Sequence, residues 1–220
     1  VSFFEEIHHL TIDGHFGSKC LATLKAFDLT GRWKAVNWAV SVAKDNRFTY
    51  GAGQRAHRCG CYFCKTNTGP HKKNKERKGE PHVIKDAKGN GHTYERTYCC
   101  NTYITAAYAH GAKAEKALKL CKTCGAMGMN PTDWTNRGFK KVGTCKDVPY
   151  EKLMVGDVIM SNANKNDWQH HVWMYIGGGR FVEASGNNWS ADSIASKPNA
   201  KTRYNSYRKH SGTYVVRYTK

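Results

Sequence analysis

The sequence predicts an α+β fold, in which N-terminal helices pack on an antiparallel sheet. In the first half, apolar residues recur every three or four positions, which is the spacing of a helix buried on one face. In the second half, short apolar runs end at glycines and other turn residues, which is typical of strands. The runs with these patterns are 35–43 and 103–108 for helices, and 158–160, 171–176, 180–184 and 213–218 for strands.

The first firm element is a helix that follows Lys34. One apolar face of this helix is formed by Ala35, Trp38, Ala39, Val42 and Ala43. Asp45 and Asn46 end the pattern. The chain has 220 residues, of which 40% are hydrophobic, so it can bury one full core. We therefore predict one domain over residues 35–220, preceded by a helical lead-in over residues 1–34.

A polar, basic segment covers residues 54–96 and is predicted to form a long loop or a small subdomain. It contains three cysteines with metal-ligand spacing, and a Cys-x-x-Cys pair follows later in the chain. These five residues are Cys59, Cys61, Cys64, Cys121 and Cys124. A structural zinc site, disulfides and unliganded thiols are the three interpretations of this spacing, and the sequence leaves all three open. Because the chain has nine cysteines, at least one remains unpaired within it.

Cys99 and Cys100 precede a second predicted helix, whose apolar residues include Tyr103, Ile104 and Tyr108. Cys100 would lie in the first turn, where unpaired backbone N–H groups stabilise a thiolate and an oxyanion formed beside it. This position predicts that Cys100 is a nucleophile. Two buried small side chains are the alternative interpretation. Cys99 is the competing nucleophile, but Cys100 keeps the helical register of the apolar residues.

The two strands at 171–176 and 180–184 are joined by three glycines, which indicates a tight antiparallel hairpin. In that register His171 and Glu183 lie side by side on one face, whereas alternation sends His170 to the other. An imidazole that is held by a carboxylate and directed at a thiol is the arrangement for nucleophilic acyl transfer.

These motifs resemble the NlpC/P60 family of papain-like cysteine peptidases over roughly residues 35–220. Residues 99–104 align with the family run Asp-Cys-Ser-Gly-(Phe/Leu)-Val. Residues 155–158 align with the family's Gly-Asp motif, which precedes a strand. Residues 171–179 align with His-Val-Gly-Ile-Tyr-Ile-Gly-Asn-Gly. The resemblance implies N-terminal helices on a five- to six-stranded antiparallel sheet, with residues 54–96 as an insertion.

The resemblance also implies roles for individual residues. Cys100 would attack a peptide carbonyl, His171 would carry the proton and Glu183 would orient the imidazole. Three further residues are predicted to bind substrate: Tyr50, Trp173 and Asn187. No cofactor is required for this chemistry, so zinc would serve the structure alone.

The chain departs from the family pattern at three positions. The aspartate before the nucleophile is Cys99, and the tyrosine usually near the oxyanion is Phe48. Glu183 stands where the family often has a second histidine. A carboxylate orients an imidazole at least as well as an imidazole does.

By resemblance, the chain is expected to be a peptidoglycan hydrolase that cuts the stem peptide next to a D-amino acid, as a phage endolysin or phage-associated lysin. An amidase or acyltransferase with the same triad and a non-hydrolytic wall-binding module are the alternatives. Residues 12–28 resemble the signature of small peptidoglycan-binding modules, of which residues 1–34 would be a remnant.

The formal net charge of +18 attracts polyanions. Peptidoglycan and anionic wall polymers are the expected partners. A basic zinc-containing nucleic-acid-binding protein is the alternative. It is less favoured because no nucleic-acid-binding module is recognisable in the sequence. The sequence contains neither a long apolar run nor the residue order of a signal peptide. We therefore expect synthesis in the host cytoplasm and action at the bacterial cell wall, or secretion by another route.

Overall fold

A computed structural model describes residues 31–45, 47–50, 82–85, 91–94, 96–114, 118, 129–162, 170–185 and 194–220. The helices are α1 (Gly31–Ala43), α2 (Cys100–Ala106), α3 (Pro131–Thr135) and α4 (Ala200–Arg208). The strands are β1 (Phe48–Tyr50), β2 (His82–Lys85), β3 (Gly91–Tyr94), β4 (Arg96–Tyr98), β5 (Phe139–Thr144), β6 (Val158–Ser161), β7 (His171–Gly177), β8 (Arg180–Ala184), β9 (Ile194–Lys197) and β10 (Thr213–Tyr218). α2 continues as a π-helical turn over Ala107–Gly111.

Six strands form the central sheet, in the order β5-β10-β6-β7-β8-β9. Every neighbouring pair in this sheet is antiparallel. The turn between β7 and β8 is made by three glycines that all have positive φ, which suits residues without a Cβ. The predicted α+β class with a five- to six-stranded antiparallel sheet is confirmed.

Helices α1 and α2 cover one face of the sheet. Strand residues such as Val172, Met174 and Val182 point toward them and share their hydrophobic core. The predicted apolar face of α1 is buried at Ala35, Ala39 and Val42. This layer holds the start of α2 against the middle of the sheet.

The opposite face of the sheet has its own hydrophobic core, which is covered by α4. Trp173 and Phe181 from the strands pack there against Tyr204 and Tyr207 of α4. Because side chains alternate between the two faces of a strand, His171 lies on the same face as Trp173. The sheet is therefore enclosed between two layers of helix.

The turn before β6 is fixed by a glycine and a buried carboxylate. Gly156 has a φ of +84°, and a Cβ at this position would lie 2.8 Å from Arg32 Cβ. Asp157 is fully buried and accepts hydrogen bonds from Arg217 Nε at 2.6 Å and from the Met154 backbone N–H at 2.8 Å. This ion pair ties the turn to β10 and fixes where β6 enters the sheet.

Two smaller sheets lie outside the central one. β1 pairs in parallel with β4, which places Tyr50 beside Tyr98. β2 and β3 form an antiparallel pair inside the predicted insertion 54–96. Most of that insertion, and residues 1–30 of the predicted lead-in, lie outside the described residues. Within the described part of the chain, no helix is long and apolar enough to cross a membrane.

Candidate active site

Cys100 is the first residue of α2, and Cys99 is its N-cap. The backbone N–H of Cys99 donates to Thr102 Oγ1 at 2.8 Å, which satisfies a donor at the helix start. The Tyr103 hydroxyl donates to the Ala39 carbonyl at 2.6 Å and fixes this turn on α1. Cys100 is thereby held in one place, with 8% of its surface exposed.

The environment of the Cys100 thiol disfavours its ionised form. Burial raises the pKa of the thiol to about 11, and the neighbouring Cys99 adds to the rise. The backbone N–H groups of Val172, Asn101 and Cys100 oppose this effect because they stabilise a thiolate. Burial outweighs them, so the thiol needs a base that takes its proton.

His171 and Glu183 provide a buried imidazole–carboxylate pair. The register between β7 and β8 pairs Met174 with Val182, which places His171 and Glu183 on one face of neighbouring strands. His171 Nε2 lies 2.6 Å from Glu183 Oε2, and the two side chains are 9% and 4% exposed. Since Nε2 binds the carboxylate, Nδ1 is the ring nitrogen that is available to act on a thiol.

The packing of α2 brings Cys100 to this pair. α2 packs on β7 and β8, and the backbone N–H of Val172 faces the Cys100 thiol. Val172 directly follows His171, so the thiol lies at the end of β7 that carries the imidazole. Cys100 therefore lies beside the end of β7 that carries His171, and Glu183 contacts His171 from the neighbouring strand.

Glu183 is held by more than the imidazole. Its Oε1 accepts hydrogen bonds from Ser185 Oγ and Lys197 Nζ, both at 2.8 Å, and its Oε2 accepts one from Arg203 Nη2 at 3.2 Å. Burial favours the neutral acid, but the contact with His171 and the charges of Lys197 and Arg203 together hold the pKa of Glu183 well below its ordinary value. The carboxylate is therefore ionised at neutral pH.

Tyr50 lies beside the two cysteines. Burial raises the pKa of its hydroxyl, and the nearby Cys100 and Cys99 raise it further. Its partner residue across the β1–β4 pairing, Tyr98, precedes Cys100 by two positions. Tyr50 therefore places a neutral phenol near Cys100.

Cys99 and His170, which directly precede Cys100 and His171, have different surroundings. Cys99 Sγ contacts Asn101 Oδ1 at 2.8 Å and Thr102 Oγ1 at 3.2 Å, so its thiol is engaged at the helix start. His170 is exposed, whereas His171 is 7% exposed. The two residues that the sequence favoured, Cys100 by helical register and His171 by strand alternation, are the buried ones.

The prediction that Trp173 binds substrate needs correction. Trp173 is fully buried, and its ring packs at 5.1 Å from Phe181 and at 5.8 Å from Tyr207. It presents no surface to a substrate, and we assign it to the core beneath α4. Asn187, the third residue predicted to bind substrate, lies outside the described residues.

The cysteines considered as zinc ligands also lie outside the described part of the chain. This holds for all five: Cys59, Cys61, Cys64, Cys121 and Cys124. The described cysteines Cys99, Cys100 and Cys145 are free thiols. Over the described ranges, no three His, Cys, Asp or Glu side chains are grouped to hold a metal ion.

The two cations that hold Glu183 were not predicted from the sequence. Lys197 is in β9 and Arg203 is in α4, and neither element was predicted. A signal for α4 exists, because its buried residues Ala200, Tyr204 and Tyr207 follow helical spacing. Once α4 is recognised, Arg203 can be placed next to the buried layer, but its contact with Glu183 requires the fold.

A comparison with protein-family models finds a match. The model of the NlpC/P60 family matches residues 89–209, which is more than half of the chain and includes Cys100, His171 and Glu183. A comparison with curated proteins finds no match.

Proposed function

The chain belongs to the NlpC/P60 family, and we propose that it hydrolyses an amide bond in the stem peptide of peptidoglycan by a Cys-His-Glu acyl-enzyme mechanism. The family consists generally of cysteine peptidases and amidases that act on peptidoglycan. The observation that carries the mechanism is the buried contact of 2.6 Å between His171 Nε2 and Glu183 Oε2, beside the strand end that faces Cys100.

In this mechanism Cys100 Sγ attacks the scissile carbonyl carbon and a C–S bond forms. His171 Nδ1 takes the thiol proton and then gives it to the leaving amine as the C–N bond breaks. Water, with His171 again as the base, hydrolyses the thioester and restores the thiol. Glu183 keeps the ring in the required tautomer through Nε2 throughout the cycle.

The oxyanion of the tetrahedral intermediate needs hydrogen-bond donors. We assign this role to the backbone N–H of Cys100 and to the hydroxyl of Tyr50, which lies near the thiol. Phe48, at the position of the family's usual tyrosine, has no hydroxyl. Tyr50 would then supply the donor that Phe48 lacks.

The proposed substrate is a stem peptide cut next to a D-amino acid, and the proposed setting is a phage endolysin or phage-associated lysin acting at the bacterial wall. The net charge of +18 supports attraction to anionic wall polymers. Salt weakens such attraction, so added salt is expected to reduce binding to sacculi.

The test is incubation of purified sacculi, from walls of several stem-peptide types, with the native chain and with Cys100→Ala. We expect the native chain to release new amine ends and Cys100→Ala to release none. Mass analysis of the products identifies the bond: a cut within the stem supports a peptidase, and a cut between glycan and stem would show an amidase instead. Intact sacculi of every type would refute wall hydrolysis.

A further inference from the structure

Exposed cations lie along one flank of α4. Lys201 and Arg208 are seven residues apart, which is about two helical turns and about 10 Å, so both project from the same side of the helix. Arg203 points to the other flank, where it contacts Glu183. The flank that carries Lys201 and Arg208 therefore faces away from the catalytic pair.

Contacts between elements join this flank of α4 to two neighbouring turns. Lys201 Nζ lies 3.2 Å from Oε1 of Glu151, which belongs to a 3₁₀ turn over Tyr150–Lys152. Arg208 Nη2 donates a hydrogen bond of 3.2 Å to the carbonyl of Lys146, in the turn that follows β5. The helix and the two turns therefore form one basic surface. Its exposed cations are Lys146, Lys152, Lys201, Arg208 and Lys209.

Carboxylates balance only part of the charge on the basic surface. Within the described ranges, Asp147 and Glu151 are its two exposed carboxylates, against five exposed cations. Glu151 binds Lys201, and Asp147 accepts a hydrogen bond from the hydroxyl of Thr144. Neighbouring cations repel one another, and an anion that binds among them relieves the repulsion. The basic surface is therefore suited to an anionic partner.

The arrangement of these charges indicates an extended partner rather than a small anion. The cations come from α4 and from two turns, and Lys201 and Arg208 alone are about 10 Å apart along the helix. A single phosphate binds only donors within hydrogen-bond distance of its oxygens. A flexible chain with one charge in every unit can contact several of these cations at once, and each contact makes the next one easier to form.

We propose that the basic surface binds a linear wall polymer of phosphodiester-linked units. The choice of a wall polymer rests on the proposed function, and the location of the binding surface rests on the contacts above. Phosphodiesters keep one negative charge per unit, which matches a row of separate lysines and arginines. Because Arg203 and Glu183 lie on the other flank of α4, the bound polymer does not occupy the flank that carries the catalytic pair.

The test measures binding of the full chain to sacculi by sedimentation at several salt concentrations, with Cys100→Ala in every protein so that the sacculi stay intact. Half of the sacculi are treated with hydrofluoric acid, which cleaves phosphodiesters and leaves the peptidoglycan. The surface variant combines Lys146→Gln, Lys152→Gln and Lys209→Gln. The control variant combines three exposed lysines on or beside α1, across the sheet: Lys34→Gln, Lys44→Gln and Lys113→Gln.

We expect the surface variant to bind untreated sacculi about ten- to a hundredfold more weakly at low salt. The slope of log affinity against log salt should become shallower by about two units, because three ionic contacts are lost. The control variant removes the same net charge and should lose less than about threefold. On acid-treated sacculi the parent chain and both variants should bind equally.

Equal losses in the two variants would overturn the proposal, because net charge rather than this surface would then control binding. Unchanged binding of the parent chain after acid treatment would also overturn it, since the partner would be peptidoglycan itself. Tighter binding to a DNA duplex through the same three lysines would assign the surface to nucleic acid instead. Urea unfolding establishes that each variant is folded. Because binding needs no hydrolysis, an inactive native chain would refute the proposed function and leave this result intact.

Discussion

Glu183→Gln keeps the shape of the buried side chain and removes its charge. The amide has one oxygen, so its NH₂ group must face a cation in either orientation: Lys197 on one side or Arg203 on the other. One charge-assisted hydrogen bond is lost outright, and the other weakens because its acceptor is neutral. The substitution therefore removes the charge through which Glu183 of β8 binds β9 and α4 at the site.

The size of the effect follows from these contacts. Two hydrogen bonds to charged groups contribute about 1.5–3 kcal/mol each. Lys197 and Arg203 are 37% and 28% exposed, so water compensates part of the loss. We expect the free energy of unfolding at pH 7 to fall by about 2–4 kcal/mol in Glu183→Gln.

The assay is urea unfolding of the native chain, Glu183→Gln and the control Glu151→Gln between pH 3 and 7. Glu151 is an exposed carboxylate whose pair with Lys201 spans 3.2 Å, so its replacement is expected to leave the transition unchanged.

The folded-state pKa of Glu183 lies below the ordinary value of about 4.3. Its stabilising effect is thus complete above that pH and is lost as pH falls toward the folded-state pKa. The difference in the free energy of unfolding between the native chain and Glu183→Gln should therefore narrow below about pH 4. A difference under about 0.5 kcal/mol at pH 7 would refute the buried-network account.

The remaining predictions concern the turn before β6 and the oxyanion. Asp157→Ala leaves Arg217 without its buried carboxylate and should lower the free energy of unfolding by about 3–5 kcal/mol in urea titrations. The control Glu151→Ala removes a carboxylate from an exposed pair and should change the free energy of unfolding little. Equal losses in both variants would contradict the role of burial. Tyr50→Phe should lower the hydrolysis rate on sacculi about ten- to a hundredfold with urea unfolding unchanged. An unaltered rate would remove Tyr50 from the oxyanion site.

The parts of the site that depend on local pattern could be predicted from the sequence. Helical register placed Cys100 at the start of α2, and the glycine turn fixed the hairpin that joins His171 to Glu183. Both inferences use spacing within about a dozen residues, where chain geometry leaves few alternatives. Their catalytic roles remain proposals.

The parts that depend on distant packing could not be predicted in the same way. Trp173 and His171 are two residues apart and so lie on the same face of β7. Sequence alone does not show that α4 covers that face at Trp173. Lys197 and Arg203 reach Glu183 only because β9 pairs with β8 and α4 packs on the face of the sheet. β5 was missed because its central residues, Lys140 and Lys141, are exposed and lack an apolar pattern.

The most direct test of the central claim compares Cys100→Ala with Cys99→Ala on sacculi that the native chain digests. The two variants remove identical atoms from adjacent positions, one at the thiol that faces Val172 and the other at the N-cap. The account predicts that Cys99→Ala releases new amine ends at a measurable rate, whereas Cys100→Ala releases none. Digestion by Cys100→Ala, with loss of activity in Cys99→Ala, would contradict it.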